Sequence, residues 1–367
     1  MARAKKFSVA LTAFLCTVCL LVGAVGGAYF AVQQSAASYH SDETPAPIVV
    51  DGDFQVHFLE LGNAYAGDCT YIKSGDVDIL IDAGSREKSV TTIAAYLNEY
   101  VTDGVLEYVI VTHAHQDHYA GFIVEDGSIF DLFECEVIID FSKTNKTATA
   151  TNEYGRYLKE RDAEIAAGAK HYTAAEAVKQ NGGKFELAEG LTMTVLDSYY
   201  YYNKASSEND YSVCTLFTYG ENHYLFTGDL EKKGEEKLVE LNTLPEVELF
   251  KAGHHGSNTS SNEVLLSVIK PEIVCVCCCC GSSEYSSANE VQFPSQDFVN
   301  RVAPYTDKVY VTTLCVDYSA KTFTSMNGNI AVITDKNGVR VECSNDNRVL
   351  KEWDWFKQNR TCPTAWK

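Results

Sequence analysis

The alternation of apolar and polar residues along the chain predicts a series of short strands separated by turns and helices. Residues 55–61 alternate with the period of two that is typical of a strand, and two apolar runs beyond them are joined by a hairpin signal at Ser74-Gly75-Asp76. Residues 87–101 have helical spacing instead. Further strands are predicted at residues 108–112, 136–140, 191–196, 213–218, 223–227, 247–251, 273–280 and 308–313. Strands that alternate with helices in this way predict two sheets covered by helices.

Two polar stretches between the strands are predicted to be helical. Residues 231–241 begin with acidic residues and contain lysines, which is typical of a helix with a charged surface. Residues 150–180 are polar and alanine-rich, and we expect one helix there with an exposed face. His171 would then be a solvated side chain rather than a ligand.

The two ends of the chain differ from its middle in composition. Residues 1–36 start with three cationic residues and continue as an apolar run, which fits either a signal peptide or an uncleaved membrane anchor. Residues 37–53 are predicted to be a linker, residues 54–345 the folded domain, and residues 346–367 a basic aromatic tail. The cationic start predicts a body that is secreted or displayed at the cell surface, held by the N-terminal segment if it is not cleaved.

The net charge limits which substrates the protein can bind, and the spacing of the cysteines limits the role that they can have. The formal net charge of −20 opposes passive binding to polyanions, so a nucleic-acid substrate would need bound metal or a local basic patch. The basic aromatic tail could stack on bases or lie at a membrane or wall surface, but we favour an aromatic clamp packed on the domain. The chain has 13 cysteines, and five of them crowd into the apolar segment 275–280. Alternation in a strand keeps neighbouring thiols apart, so we interpret these as core residues rather than as a metal site.

Candidate chemistry is concentrated in residues 112–118, Thr-His-Ala-His-Gln-Asp-His. Directly after a buried strand, the segment offers four potential metal ligands, which are His113, His115, Asp117 and His118. Imidazole nitrogen and carboxylate oxygen suit zinc, and also manganese or iron. A second histidine pair lies far along the chain in a glycine-bracketed loop, Gly253-His-His-Gly-Ser257. Such density predicts a metal site rather than solvated surface histidines.

Together with Gly228-Asp229, these clusters resemble the motifs of the metallo-β-lactamase superfamily. The greatest similarity is to the extracellular lactamase-like domain of competence DNA-uptake channel proteins, whose opening resembles Val56–Gly62, Gly67-Asp68 and Leu80–Gly84 here. The resemblance extends over residues 54–335. It implies an α/β (α+β) fold, a four-layer αββα sandwich with a binuclear metal site at the sheet edge.

The resemblance also implies roles for individual residues. His113 and His115 would hold one divalent metal, Asp117, His118 and His254 the other, and Asp229 would bridge them. Two zinc ions are the expected cofactors, with manganese as the alternative. Asp117 would also orient the attacking hydroxide, and His255 would be either an alternative ligand or a proton donor to the leaving group, which makes both candidate catalytic residues. The supporting candidates are Asp82 and Asp68 behind the ligands, and Ser257, which contacts a substrate phosphate or caps the next helix.

The chain departs from the family pattern at three places. Lactamase-type members carry a histidine before the Gly-Asp motif, whereas this chain has Glu208–Ser212. There Asn209, Asp210 or a water could supply the missing oxygen ligand, or Asn209 and Ser212 could only cap the next strand. The turn at residues 62–67 is longer than in the competence-type domains, and a Gly-His-Pro of that family is replaced by Gln292-Phe293-Pro294.

The expected function is a secreted or anchored metal-dependent hydrolase that cleaves phosphodiesters through a metal-bridging hydroxide, as a phosphodiesterase or nuclease. Its partner would be a phosphodiester, with nucleic acid as one form of it. One alternative is a small-molecule hydrolase that acts on a lactone, a β-lactam or a choline-phosphate ester. Another is a non-catalytic surface-binding module that keeps the lactamase-like fold.

Overall fold

The computed structural model describes residues 47–48 and 50–367, which all belong to one compact unit. The predicted signal peptide or anchor, residues 1–36, lies outside this part, and so does most of the predicted linker, residues 37–53. Within the described residues, no helix has both the length and the apolar character that a membrane crossing requires.

The first of two sheets contains both ends of the folded domain. Its eight strands are β1 (Phe54–Phe58), β2 (Thr70–Ser74), β3 (Val77–Ile81), β4 (Val105–Val111), β5 (Glu134–Asp140), β6 (Lys170–Thr173), β15 (Ile330–Asp335) and β16 (Gly338–Cys343). They lie in the order β16-β15-β1-β2-β3-β4-β5-β6. Strands β3 to β6 are parallel, so their carboxyl ends meet at one edge of the sheet.

The second sheet also has eight strands. They are β7 (Lys184–Ala188), β8 (Leu191–Val195), β9 (Thr215–Tyr219), β10 (Asn222–Phe226), β11 (Leu249–Lys251), β12 (Ile273–Cys280), β13 (Val309–Asp317) and β14 (Thr322–Ser325). Their order is β14-β13-β12-β11-β10-β9-β8-β7, with β10 to β13 parallel. The motifs Gly228-Asp229 and Gly253–Ser257 therefore leave neighbouring strands at the same edge.

Nine α-helices complete the described part of the chain. They are α1 (Ser89–Leu97), α2 (Gln116–Tyr119), α3 (Ile129–Leu132), α4 (Glu153–Ala167), α5 (Ala174–Lys179), α6 (Lys232–Leu241), α7 (Glu263–Ile269), α8 (Gln296–Val302) and α9 (Asp354–Asn359). Helices α1, α3 and α4 pack against the first sheet, and α6 to α9 against the second. This mixed two-sheet arrangement confirms the predicted αββα fold.

The cysteine-rich strand β12 shows how the core is divided. Cys275 and Cys277 belong to the apolar cluster between the sheets, whereas Cys278 and Cys280 belong to the cluster under the outer helices. Side chains that alternate across a strand produce this division. The cysteines of the described residues are all free thiols.

One secondary-structure prediction is wrong. Residues 150–180 do not form a single helix, because β6 separates α4 from α5 and adds an edge strand to the first sheet. His171 lies on that strand and is half-buried, with its Nε2 2.8 Å from Asp140 Oδ1. Strand pairing with β5 outweighed the helical composition of a short segment.

The aromatic tail packs on the domain. Leu350, Phe356 and Trp366 are buried in the cluster beneath the outer helices of the second sheet. Trp366 Nε1 donates to the carbonyl oxygen of Thr306 at 2.8 Å. The aromatic residues of the tail thus contribute to the core of the second sheet.

Candidate metal centre

The histidine-rich segment 112–118 lies where the chain leaves β4 and turns into α2. Two of its histidines, His113 and His118, are fully buried. The loop after β3 approaches this turn very closely, because a Cβ atom at Gly84 would lie 1.6 Å from the carbonyl oxygen of Asp117. Glycine at position 84 is therefore a requirement of the contact that joins the ends of β3 and β4.

His118 is fixed in one tautomer by Asp82. Its Nδ1 donates to Asp82 Oδ2 at 2.7 Å, and the same carboxylate accepts from the backbone N–H and the hydroxyl of Thr112 at 2.8 and 2.7 Å. The Nε2 atom of His118 is buried, has no hydrogen-bond partner of suitable geometry and lies 3.2 Å from Asp229 Oδ2. Metal-ligating histidines have this arrangement, with one nitrogen bound to a carboxylate and the other available. Asp82 thus lies behind the imidazole of His118, a candidate ligand.

His255 repeats the arrangement from the second histidine cluster. Its Nδ1 donates to the carbonyl oxygen of Cys277 at 2.9 Å and lies 3.1 Å from Asp68 Oδ1. Its Nε2 is buried without a hydrogen-bond partner of suitable geometry and is 3.4 Å from both Asp117 Oδ2 and Asp229 Oδ2. A backbone carbonyl thus orients His255 as Asp82 orients His118.

The position of His255 changes the expected ligand set. The sequence placed His254 with the pair Asp117 and His118 and kept His255 as an alternative ligand, and the structure brings the ligand atoms of His255 within reach of that pair. His254 is 21% exposed at its side chain, and its Nδ1 contacts a threonine hydroxyl of its own loop at 2.9 Å. Both histidines have positive φ, 47° and 54°, so a tight left-handed turn directs neighbouring side chains differently.

The carboxylate of Asp229 lies between the imidazoles that surround it. Its Oδ2 atom is 3.2 Å from Nε2 of His118, 3.4 Å from Nε2 of His255, and 3.9 Å from Nε2 of both His113 and His254. A carboxylate that contacts imidazoles from two separate parts of the chain is placed to bridge two cations. This is the bridging position that the resemblance implied.

His113 and His115 form the other side of the centre. His113 Nε2 is 2.9 Å from His115 Nδ1, and His113 Nδ1 lies 3.1 Å from the hydroxyl of Thr112 and 3.4 Å from that of Ser212. His115 is half-buried. Among the described residues, His115 belongs to none of the groups of three candidate ligands whose atoms lie within 4.8 Å of one another. The structure therefore places His115 beside His113, at the margin of the more compact set around Asp229.

The two candidates for the missing third ligand behave differently. Asn209 Nδ2 donates to Glu231 Oε1 at 3.0 Å, while its Oδ1 is buried without a hydrogen-bond partner. Asp210 Oδ1 accepts from the backbone N–H of Glu231 at 3.3 Å, and burial followed by the nearby Glu231 raises the pKa of Asp210 to about 6. Asp210 thus supports the loop before α6. Asn209 is the residue of the two that has an oxygen available.

Asp68 and Ser257 have supporting contacts. Asp68 joins His255 to a buried lysine, because it contacts the imidazole through Oδ1 and forms an ion pair with Lys251 through Oδ2. Ser257 Oγ accepts from the backbone N–H of Thr259 at 3.2 Å, so it stabilises its own loop. No substrate is needed to explain that serine.

Sequence reasoning missed Lys251, which is 3% exposed beneath the centre. Its Nζ lies 4.0 Å from Asp229 Oδ1 in addition to the Asp68 ion pair. Burial opposes the charge of Lys251, but Asp68 and Asp229 outweigh it and raise the pKa of the ammonium group. A lysine at the end of an apolar strand, directly before the His254-His255 cluster, was the signal that could have revealed it.

Sequence reasoning also missed Tyr285, which lies on the loop after β12. Its hydroxyl donates to Asp117 Oδ2 at 2.9 Å. The residue is 57% exposed, so an aromatic side chain reaches the centre from the solvent side. Nothing in the polar segment around Tyr285 distinguishes it from an ordinary loop residue.

The electrostatics are those of a cation-binding site. Burial, followed by the neighbouring His118, lowers the pKa of His113, which is therefore a neutral donor. Burial opposes protonation of His118 as well, but Asp229 and Asp82 outweigh it and raise its pKa. Buried imidazole nitrogens without hydrogen-bond partners around a shared carboxylate fit two divalent cations. A mixed nitrogen and oxygen donor set suits zinc, and also manganese.

Comparison with known proteins agrees with this geometry. The family model described as "Metallo-beta-lactamase superfamily" matches residues 62–124 and 207–280, which include both histidine clusters and Asp229. The chain is 26% identical over 263 residues to "Recombination protein 2" of Haemophilus influenzae, a match that covers 71% of this chain and 28% of the relative. It is 41% identical over 93 residues to "Competence protein ComA" of Neisseria gonorrhoeae, which covers 24% of this chain and 12% of that protein.

Among solved structures, the metallo-β-lactamase fold protein YhfI of Bacillus subtilis matches with a TM-score of 0.41 and 12% identity. That match covers 70% of this chain and 95% of YhfI. The chain spans little more than a quarter of the length of the Haemophilus relative and less of the Neisseria protein.

Proposed function

We propose, on the premise that this chain carries a metallo-β-lactamase superfamily domain, that it is a metal-dependent phosphodiesterase. The observation that carries the proposal is the group of imidazoles around Asp229. The Nε2 atoms of His118 and His255 lie 3.2 and 3.4 Å from its Oδ2, while the Nδ1 atoms of both are engaged behind them. Such side chains are preorganised to bind divalent cations rather than to bind each other.

The residues divide into two ligand sets that share Asp229. His113 and His115 would hold one cation. Asp117, His118 and His255 would hold the other. Two divalent cations, when bound, lower the pKa of a water between them and neutralise charge on a phosphoryl oxygen.

The chain's own residues contribute orientation and proton handling. The carboxylate of Asp117 is placed to accept a hydrogen bond from the attacking water. Asp82 and the carbonyl oxygen of Cys277 keep His118 and His255 in the ligating tautomer. His254 is partly exposed, with Nε2 3.9 Å from Asp229 Oδ2, so it is the imidazole that faces an arriving phosphoryl group or leaving oxygen. His255 then has the ligand role that the sequence analysis gave it as the alternative to proton donation.

A phosphodiester substrate is supported by the donor set and by the relatives. Ser212 lies beside His113, in the segment where lactamase-type members have a third histidine, and oxygen-rich coordination suits phosphate esters. The relatives are named for recombination and competence, which concern nucleic acid. The net charge of −20 supports a short substrate over a long strand held by general attraction.

We also propose that the protein acts outside the cytoplasm, held by its N-terminal segment if that segment is not cleaved. The support is the cationic start and the apolar run of residues 1–36. Protease digestion of intact cells that express the full chain tests this, because a surface body would be degraded and a cytoplasmic one protected.

The activity is tested on the full chain purified in mild detergent and loaded with zinc or manganese. Bound metal is measured, and turnover of a generic phosphodiester, single-stranded DNA, a lactone and a β-lactam is compared. We expect phosphodiester turnover that is lost in His118→Ala and retained in the control His223→Ala, whose imidazole contacts Thr218 on the neighbouring strand. Two bound metals without turnover of any substrate would instead support a non-catalytic binding module. Lactone or β-lactam turnover alone would support the small-molecule alternative.

A further inference from the structure

The loop between β12 and α8 places two aromatic rings beside the metal centre. Tyr285 donates its hydroxyl to Asp117 Oδ2 at 2.9 Å, and its ring centroid lies 5.4 Å from that of Phe293. Phe293 in turn lies 5.8 Å from the rings of both His254 and His255. We call Tyr285 and Phe293 the aromatic wall. Because Tyr285 is 57% exposed, part of this wall is open to whatever occupies the centre.

The wall is fixed on the side of the first sheet by Glu284. Its Oε2 accepts from the backbone N–H of Ala66 at 2.9 Å, and its Oε1 forms an ion pair of 2.5 Å with Arg86. The Arg86 guanidinium also stacks on the ring of Tyr65, 4.1 Å from its centroid. The residue before Tyr285 is therefore bound to two loops of the opposite sheet, which limits the movement of the phenol.

The wall is fixed on the other side by the C-terminal tail. Arg360 is 7% exposed and donates to the carbonyl oxygens of Pro294 and Gln292 at 2.9 and 2.7 Å. Its guanidinium stacks on Trp355 at 4.5 Å. Trp355 covers the start of the loop, where a Cβ atom on Gly281 would lie 2.4 Å from the indole nitrogen. The tail thus holds both ends of the loop that carries the aromatic wall.

An exposed aromatic ring in this position is more than a structural contact. Tyr285 donates its hydroxyl to a candidate metal ligand and packs against Phe293, yet 57% of the residue stays exposed, and exposed aromatic surface gains no burial energy. A planar group attached to a phosphoryl group at the centre would lie within reach of that ring. Stacking of a nucleic-acid base on an aromatic side chain changes affinity by roughly five- to hundredfold.

We propose that the aromatic wall determines specificity at this site by stacking on a planar group, such as the base of a nucleoside, carried by the alcohol that is esterified to the bound phosphate, and that Arg360 positions it. The inference rests on the proposed phosphodiesterase function, since it names the substrate class of the same site. Compact alkyl esters such as choline phosphate offer no planar surface to the wall. The tail then supports substrate recognition by holding the loop of the aromatic wall in place, and it does not itself need to contact nucleic acid.

Binding of two phosphomonoesters tests the wall independently of turnover. Thymidine 5′-monophosphate and methyl phosphate present the same anion with and without a planar group, and isothermal titration of the zinc-loaded full chain measures both. We expect Tyr285→Leu to weaken thymidine monophosphate binding about tenfold and methyl phosphate binding less than about twofold. Tyr285→Phe keeps the ring and should keep the preference. An unchanged ratio of the two affinities in Tyr285→Leu, with bound metal at the wild-type level, overturns the proposal.

The positioning role of Arg360 is tested with a matched pair of tail variants. Arg360→Gln should lower the preference for thymidine monophosphate as Tyr285→Leu does, with bound metal unchanged. Arg348→Gln is the control, since Arg348 stacks on Trp353 at 4.2 Å and its side chain is 47% exposed. Equal preferences in the two tail variants would remove Arg360 from the proposal.

A turnover comparison separates this inference from the proposed function. Bis(p-nitrophenyl) phosphate and methyl p-nitrophenyl phosphate share a leaving group and differ only in the ester that is retained. Hydrolysis of both with a ratio that falls in Tyr285→Leu supports both proposals. Hydrolysis of both with a ratio that Tyr285→Leu does not change overturns the wall and keeps the phosphodiesterase. A planar preference in binding without any hydrolysis overturns the phosphodiesterase and keeps the wall as a binding surface.

Discussion

Replacement of Lys251 by methionine tests whether the centre depends on a buried cation. Lys251 is 3% exposed, forms an ion pair with Asp68 and has its Nζ 4.0 Å from Asp229 Oδ1. Two unit charges about 4 Å apart interact by about 4 kcal/mol at an effective dielectric constant of about 20. Removal of one partner from a buried ion pair typically costs about 3–5 kcal/mol, because the other charge stays buried and unpaired. We therefore expect Lys251→Met to lower the unfolding free energy of the metal-free protein by about 3 kcal/mol.

Urea unfolding of the full chain in the presence of EDTA, followed by tryptophan fluorescence, measures this loss. Lys270→Met is the control, because Lys270 forms an exposed ion pair with Glu246 at 2.6 Å and should lose less than about 1 kcal/mol. A double variant, Lys251→Met with Asp68→Asn, removes both charges of the buried pair. It should recover about 2 kcal/mol of the loss, because Asp68 is the contacting partner.

Two results would refute this reasoning. Equal losses in Lys251→Met and Lys270→Met would mean that the buried cation contributes no more than a surface one. A double variant no more stable than Lys251→Met would mean that the unpaired charge at Asp68 is not the source of the cost. In both cases the slope of unfolding free energy against urea should stay constant, so that the values compare the same transition.

Three further predictions follow from individual contacts. Asp82→Asn should lower zinc affinity about 10–100-fold in a chelator competition, because His118 loses the carboxylate that fixes its tautomer, and unchanged affinity would contradict that role. Burial, and then the positive charge of the nearby lysine, lowers the pKa of His57 to about 3, so the folded state holds its imidazole neutral. The unfolding free energy should therefore fall as the pH drops below about 6.5 toward 3. His57→Phe should show a shallower fall in urea midpoints over that range, whereas parallel curves would exclude His57 as a source. Gly228→Ala should lower the unfolding free energy by about 1–3 kcal/mol, because its φ is 52° and the added Cβ would lie 2.8 Å from a serine hydroxyl. The control Gly220→Ala has a similar φ of 60° but no atom within 4 Å of the added Cβ, so it should lower the unfolding free energy less.

The sequence predicted the parts of this protein that local patterns control. The segment 112–118 places its ligands within one turn after a strand, so their proximity does not depend on the rest of the fold. The alternation in β12 likewise predicts that Cys277 and Cys278 face opposite sides of the sheet, as they do. The resemblance added the distant Asp229, and the two-sheet fold that it implied is confirmed.

The tertiary structure decided which distant groups complete the centre. His254 and His255 are adjacent in sequence, and two consecutive residues with positive φ determine which one turns inward. The folded loop also distinguishes Asn209 from Asp210. Its hydrogen bonds engage Oδ1 of Asp210 and leave Oδ1 of Asn209 without a partner. The sequence shows that both residues of each pair are present, but it does not show which side chain points toward the centre.

The helix-like composition of one segment gave a wrong prediction, because strand pairing controls its structure. Residues 170–173 look like part of a helix, but an open edge beside β5 made them a strand.

Lys251, Tyr285 and Arg360 show the same limit at the scale of the whole domain. Tyr285 and Arg360 lie in segments that carry no motif, and Lys251 precedes the motif Gly253–Ser257. Each reaches the centre or its wall only through the packing of the two sheets and the tail. The sequence by itself determined that this chain has a strand-end cluster of metal-type ligands within a two-sheet fold. Only the packing of the sheets and the tail decided which imidazoles and which lysine lie around Asp229, and which aromatic rings lie beside Asp117 and His255. Those distances depend on register and burial rather than on neighbours in the chain.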